Sequence, residues 1–117
     1  MKTHKDLNVW NRSIELVITI YKVTKDFPKE ETYGLISQMR RSAISVPSNI
    51  AEGAARQSKK EFRQFLFIAS GSVSELETQL IICNKLMMID DDSFGLITDE
   101  LSQIKKMLFG LLNSIKG

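Results

Sequence analysis

From Phe62 to Met87 the apolar residues fall at alternating steps of four and three: Phe62, Leu66, Ala69, Val73, Leu76, Leu80, Cys83 and Met87. A seam of that period, held for nearly four heptads, keeps one stripe facing a neighbour along a helix of about 40 Å. Strands are excluded here, because their side chains alternate faces with period two. Ser58, three residues before Glu61, reads as a capping box that starts the helix.

Such a seam needs other helices to cover it, and the chain supplies three. The first segment runs from about Asp6 to Asp26, with Trp10, Ile14, Val17 and Tyr21 as its stripe. The second begins near Tyr33 or Leu35, after a connection bounded by Pro28 and Gly34, and steps through Leu35, Met39, Ser42, Val46, Ile50 and Gly53. The fourth follows the acidic turn Asp90–Asp92, whose carboxylates suit the positive end of a helix, and carries Phe94, Ile97, Leu101, Ile104, Leu108, Leu111 and Ile115. Four helices with short connections predict an all-α, antiparallel up-and-down four-helix bundle, one domain over residues 1–117.

The second segment is unusual for its lack of volume. Between Arg40 and Ser58 it is rich in Ser, Ala and Gly and contains Pro47. If it forms a hairpin with the third segment turning near Gln57, positions adding to about 114 oppose each other, and Ala43 faces Gly71. Two thinned stripes then meet and the helix axes draw close. Pro47 either kinks this helix or starts a separate one after a break at Ser45 and Val46; the kink is favoured.

The chain holds 45 large apolar or aromatic residues in 117, more than one narrow core shelters. A second stripe on the third segment (Phe65, Ile68, Ser72, Glu75, Gln79, Ile82 and Leu86), with Leu16 and Ile20 on the first, lies outside the assigned seams. Surplus apolar area of this kind predicts a homo-oligomer, with Phe65, Ile68, Ile82, Leu86, Leu16 and Ile20 at its interface.

Chemistry has little material. One cysteine excludes an intrachain disulfide, and its seam position reads as packing. The only histidine, His4, sits at an end expected to fray. Glu75 and Glu77 are two apart and point to different faces, so they do not form a metal-binding carboxylate pair. No phosphate loop, nucleophile–base pair or cofactor motif is present. The expectation is a non-enzyme without cofactors. With no membrane-length apolar run and no signal-peptide core at the N-terminus, it is expected to be cytoplasmic.

Charge is unevenly spread. Residues 1–60 hold 11 Lys and Arg against 6 Asp and Glu, a net +5; residues 61–117 hold 5 against 8, a net −3. The two halves attracting each other is the first reading, and a face for a polyanion the second. Arg56, Lys59, Lys60 and Arg63 gather at the start of the third helix. They read either as a solvated corner, with Arg56 pairing Glu52 at i, i+4, or as a phosphate site beside free N–H groups. Arg40 and Arg41 fall near Glu75 and Glu77 in the hairpin register. Ion pairing is the first reading there, and RNA backbone contact the second. Asn49 and Glu52 share a polar flank with Arg41 and are placed to hydrogen-bond within an assembly.

The run "YGLISQMRRSAISVPSNIAEGAARQSKKEFRQFLFIASGSVSELETQL", with "DLNVWNRSIEL", "FPKEETYGL" and "KMLFGLLNSIK" around it, resembles the four-helix-bundle proteins encoded in intervening sequences of bacterial 23S rRNA genes. The resemblance covers nearly the whole chain, with "RRS", "NIAEG", "EF" and "GSVSELE" its most specific elements. It implies a bundle assembled into a five-fold ring. RNA association in that family is inferred largely from gene context. A related branch, the accessory proteins of diversity-generating retroelements, is more basic than this chain and engages nucleic acid and a reverse transcriptase. The resulting expectation is an oligomeric module binding structured RNA through Arg56, Lys59, Lys60 and Arg63, with Arg40 and Arg41. The alternative is a scaffold for a protein partner without nucleic-acid contact.

Overall fold

The computed structural model describes residues 2–115. Met1, Gly117 and Lys116, the last residue of the family-like run "KMLFGLLNSIK", lie outside the described residues. Four helices follow in order: α1 (Asn8–Thr24), α2 (Leu35–Ala55), α3 (Lys59–Lys85) and α4 (Asp91–Ser114), with 3₁₀ turns at His4–Asp6 and Lys29–Glu31. No strand occurs among the described residues. The bundle measures 44 × 24 × 19 Å, and its long axis is set by α3. Each helix packs on its two neighbours around the ring α1–α2–α3–α4; α1 and α3 lie across a diagonal, and α2 with α3 is the closest pair.

The ends follow local chemistry. Ser58 accepts from the Glu61 N–H at 3.1 Å, so half of the expected box is present; the Glu61 carboxylate takes the Ser58 hydroxyl instead of its N–H. Asp90 caps α4 by accepting from the Ser93 N–H at 2.7 Å, which holds its carboxyl below the usual carboxylate range. His4 is not in a frayed end. Thr3 and Asp6 cap its 3₁₀ turn reciprocally, and its ring meets Trp10 edge-on at 4.9 Å.

α3 closes with a Schellman motif: Met88 N–H donates to the Cys83 carbonyl at 2.9 Å and Met87 N–H to that of Asn84 at 3.0 Å. Met87 takes the left-handed position, with φ of 60°, and is 90% exposed. It is therefore a turn residue and not the last rung of the heptad seam, because the helix stops at Lys85 before that rung is reached.

The core takes Leu66, Ala69, Val73, Leu76, Leu80 and Cys83 from α3 and Ile97, Leu101, Ile104 and Leu108 from α4, as the seams predict. α1 differs. Its buried line is Val9, Ser13, Leu16, Ile20 and Thr24, one residue round from the expected stripe, while Trp10, Ile14 and Val17 are half-buried and Tyr21 is exposed. Ser13 and Thr24 enter the core because each hydroxyl donates to a carbonyl of its own helix, Trp10 O and Ile20 O, both at 2.7 Å.

α2 runs through Pro47 without a break, which removes the two-helix alternative. Ser42 donates to Glu75 at 2.8 Å, and Ser45 and Ser72 share a hydrogen bond of 2.8 Å, so opposed positions add to 117. That is three residues from the expected register, about 4.5 Å along a helix axis. Arg56 and Ser58 are both extended, which gives an open connection instead of a tight turn at Gln57. Gly71 consequently points to solvent and does not meet Ala43, which is fully buried. The close approach is at Gly53: a Cβ there would lie 2.7 Å from the Phe65 Cβ and 3.0 Å from Phe62 Cδ1.

Candidate nucleic-acid and assembly surfaces

The four-cation corner does not survive as a unit. Arg56 sits between Glu52 at 3.2 Å and Glu61 at 3.6 Å, with its guanidinium 5.0 Å above the Phe65 ring. Arg63 turns the other way, across to α4, where its Nη1 donates to the carbonyls of Leu112 and Ile115, the latter at 2.7 Å. Leu112 O otherwise takes only a 3.2 Å bond from the Ile115 N–H, which the Leu111 carbonyl shares, so Arg63 serves as a C-terminal cap supplied by another helix. Lys59 and Lys60 remain exposed, without a partner among the described residues.

Arg40 also caps a helix. Its Nε donates to Thr24 Oγ1 at 3.0 Å, its Nη2 approaches Tyr21 O at 3.4 Å, and its guanidinium lies 4.3 Å above the Tyr21 ring. Neither Arg40 nor Arg41 pairs with Glu75 or Glu77, contrary to the first sequence reading. The Glu75 carboxylate accepts from Ser42 instead. The reason is the shifted register, together with competing partners for Arg40 at the end of α1, the Thr24 hydroxyl and the Tyr21 ring. Arg41 is exposed and unpaired among the described residues. The sequence reading overlooked a buttress between α1 and α4, where Arg12 grips Glu100 through two hydrogen bonds of 2.8 and 2.7 Å. Asn49 bonds within its own helix, to Ser45.

The predicted interface residues divide. Leu16 and Ile20 are 1% and 0% exposed and belong to the bundle's own core, so they are not available to a second copy. They were misplaced because the α1 stripe was read one residue off, a rotation of 100°. Phe65 is half-buried under Arg56 and against Gly53. Ile68, Ile82 and Leu86 are exposed on α3, joined there by Phe67 and Ile81. The rotation of α1 also uncovers a surface absent from the sequence reading. Trp10, Ile14, Val17 and Ile18 of α1 and Ile44 and Pro47 of α2 line an apolar groove of about 340 Å³.

No cluster of three or more His, Cys, Asp or Glu side chains able to hold a metal occurs among the described residues. Cys83 lies in the core 3.3 Å from the Met39 sulfur, and burial raises its thiol to about 11. One helix, α3, is long and apolar enough to meet the composition of a membrane span, but its stripe forms the core of the bundle.

No curated protein matches the sequence. Among solved structures, the chain is similar to a protein of unknown function from the S23 ribosomal protein family of Bacteroides thetaiotaomicron. The two are 25% identical, with a TM-score of 0.83 over 90% of this chain and 95% of the other. The profile of the 23S rRNA-intervening sequence proteins matches residues 5–110. With the four-helix bundle, the α2–α3 run and this match over nearly its full length, the chain belongs to the 23S rRNA-intervening sequence protein family.

Proposed function

We propose that this protein is a cytoplasmic, non-catalytic assembly module whose copies join head to tail, the exposed face of α3 packing into the α1–α2 groove of the next copy. One observation carries the reading: the chain has two separate apolar surfaces, one on α3 and one between α1 and α2. Two different surfaces suit a heterologous contact, which closes into a ring when the rotation allows. The five-membered ring implied by the family resemblance is the assembly we propose. Ile68 and Ile82 are half-exposed and Leu86 more so, and each stands to gain on the order of 1 kcal/mol when covered.

Structured RNA held at the α2–α3 corner draws less support, because Arg56 and Arg63 are spent on the fold and only Lys59 and Lys60 are free. A protein partner on the apolar faces is the competing reading for those surfaces.

Sedimentation tests the proposal. The wild-type chain is expected near five times its 13.3 kDa mass, and Ile82→Asp is expected to give a folded monomer by circular dichroism. A wild-type particle of 13.3 kDa at micromolar concentration refutes self-assembly and leaves the partner reading.

A further inference from the structure

Where the C-terminal end of α1 meets the first turns of α2, a second cavity opens, of about 470 Å³ and distinct in chemistry from the apolar groove. Its walls carry Tyr21, Tyr33, Ser37, Arg40 and Arg41, and it shares only Ile44 with the groove. Its volume falls within the roughly 300–1,000 Å³ usual for small-molecule sites. No acidic residue lines it. The carboxylate of Glu31 lies against Gly34 and is half-buried.

Two features of this cavity are unexplained by folding. Tyr33 is 94% exposed and, among the described residues, is the most exposed of the large apolar and aromatic side chains and makes no side-chain hydrogen bond or ring contact. An exposed amphipathic ring offers a face on which a planar group can stack. Arg41 is likewise exposed, with no ion pair or hydrogen bond among the described residues. Arg40 beside it is oriented by Thr24 Oγ1, the Tyr21 carbonyl and the Tyr21 ring, and its Nη1 makes no hydrogen bond among the described residues. The cavity therefore combines one oriented guanidinium, one free guanidinium, a hydroxyl at Ser37 and an exposed aromatic ring.

That set matches one ligand unit: a planar base with a phosphate beside it. A base stacks on a tyrosine face, and guanidinium groups hold phosphate oxygens with paired donors. A base inside a duplex offers no free face, so the matching form is unpaired. We propose that this cavity binds single-stranded nucleic acid, with one base stacked on Tyr33 and its phosphate held by Arg41 and Arg40 Nη1. The site moves nucleic-acid contact away from the α2–α3 corner.

The test is fluorescence anisotropy with an end-labelled 12-nucleotide oligoadenylate, run from low to moderate salt, with sedimentation and circular dichroism on each variant. Tyr33→Ala is expected to weaken binding by about five- to a hundredfold without changing the salt slope. Tyr33→Phe, which keeps the ring, is expected to stay within about twofold. Arg41→Ala is expected to lower the slope of log K against log salt by about 0.7, the share of one phosphate on a single strand. Free adenosine monophosphate should compete weakly, and the duplex of the same sequence should not compete. Lys59→Ala and Lys60→Ala should leave binding unchanged. No binding at low salt overturns the proposal, as does equal affinity for the duplex, loss that follows the two lysines, or binding indifferent to Tyr33→Ala and Arg41→Ala. A wild-type monomer in sedimentation refutes self-assembly alone, since the same anisotropy comparisons still decide this site.

Discussion

Replacing Gly53 by alanine sets two well-measured effects against each other. Gly53 lies in the last turn of α2 with a negative φ, so its backbone conformation does not require glycine. On helix propensity alone, alanine should stabilise by about 0.8–1 kcal/mol. The tertiary setting opposes this. The new Cβ would stand 2.7 Å from the Phe65 Cβ, 3.0 Å from Phe62 Cδ1 and 3.2 Å from the Phe62 carbonyl oxygen.

Carbon atoms rest at about 3.5–4.0 Å, so the contact is short by about 1 Å. A Cβ cannot rotate away, and the Phe62 carbonyl belongs to the α3 ladder. Relief therefore comes only from parting α2 and α3 near the connection. Overpacking of this kind costs about 1–3 kcal/mol, and at this backbone-to-backbone contact the upper half applies. After subtracting the propensity gain, Gly53→Ala should destabilise by about 1–2 kcal/mol, a fall in Tm of roughly 4–10 °C for a chain of this size. Gly110 is the control: it is on α4, also helical, and has nothing within 4 Å of its would-be Cβ. Gly110→Ala should stabilise by up to about 1 kcal/mol. Urea denaturation with unchanged m-values reads both. If Gly53→Ala stabilises as much as Gly110→Ala does, the close approach of α2 and α3 is not what glycine is for.

Removing Arg63 takes its side-chain donor from the Leu112 and Ile115 carbonyls, so Arg63→Ala is expected to cost about 1–2 kcal/mol and to speed amide exchange selectively in the last turn of α4. Met87→Gly relieves the left-handed strain at the end of α3 and should stabilise by about 1 kcal/mol in thermal unfolding. Asp90 has its carboxyl lowered by the Ser93 N–H, so its contribution is complete above the ordinary carboxylate pKa of 3.8 and fades as pH falls through the lowered value. The stability difference between wild type and Asp90→Ala, followed by urea titration from pH 7 to 2, should accordingly shrink only below about pH 4. With its thiol raised to about 11 by burial, Cys83 should react with a thiol reagent at pH 8 only at the rate of unfolding, and should become fully reactive in urea.

The number of helices, their approximate bounds and the helix-start residues Ser58 and Asp90 were legible in the sequence, because propensity, capping and heptad spacing are local properties of the chain. Three matters were decided only in three dimensions. Periodicity places side chains around one helix axis but does not choose the face that turns inward when two stripes compete. In α1 the line through Ser13 and Thr24 won, since their hydroxyls are satisfied by their own helix. That rotation sent Leu16 and Ile20 into the core and left Trp10 and Ile14 to form a groove. The register of α2 against α3 depended on an extended connection and on the fit of Gly53 against Phe65, neither of which a hydrophobic pattern records. The cations found partners that carry no sequence signature: Arg40 and Arg63 bind backbone carbonyls at the ends of α1 and α4. Any residue type supplies a carbonyl, so only the folded chain shows which ones lie within reach.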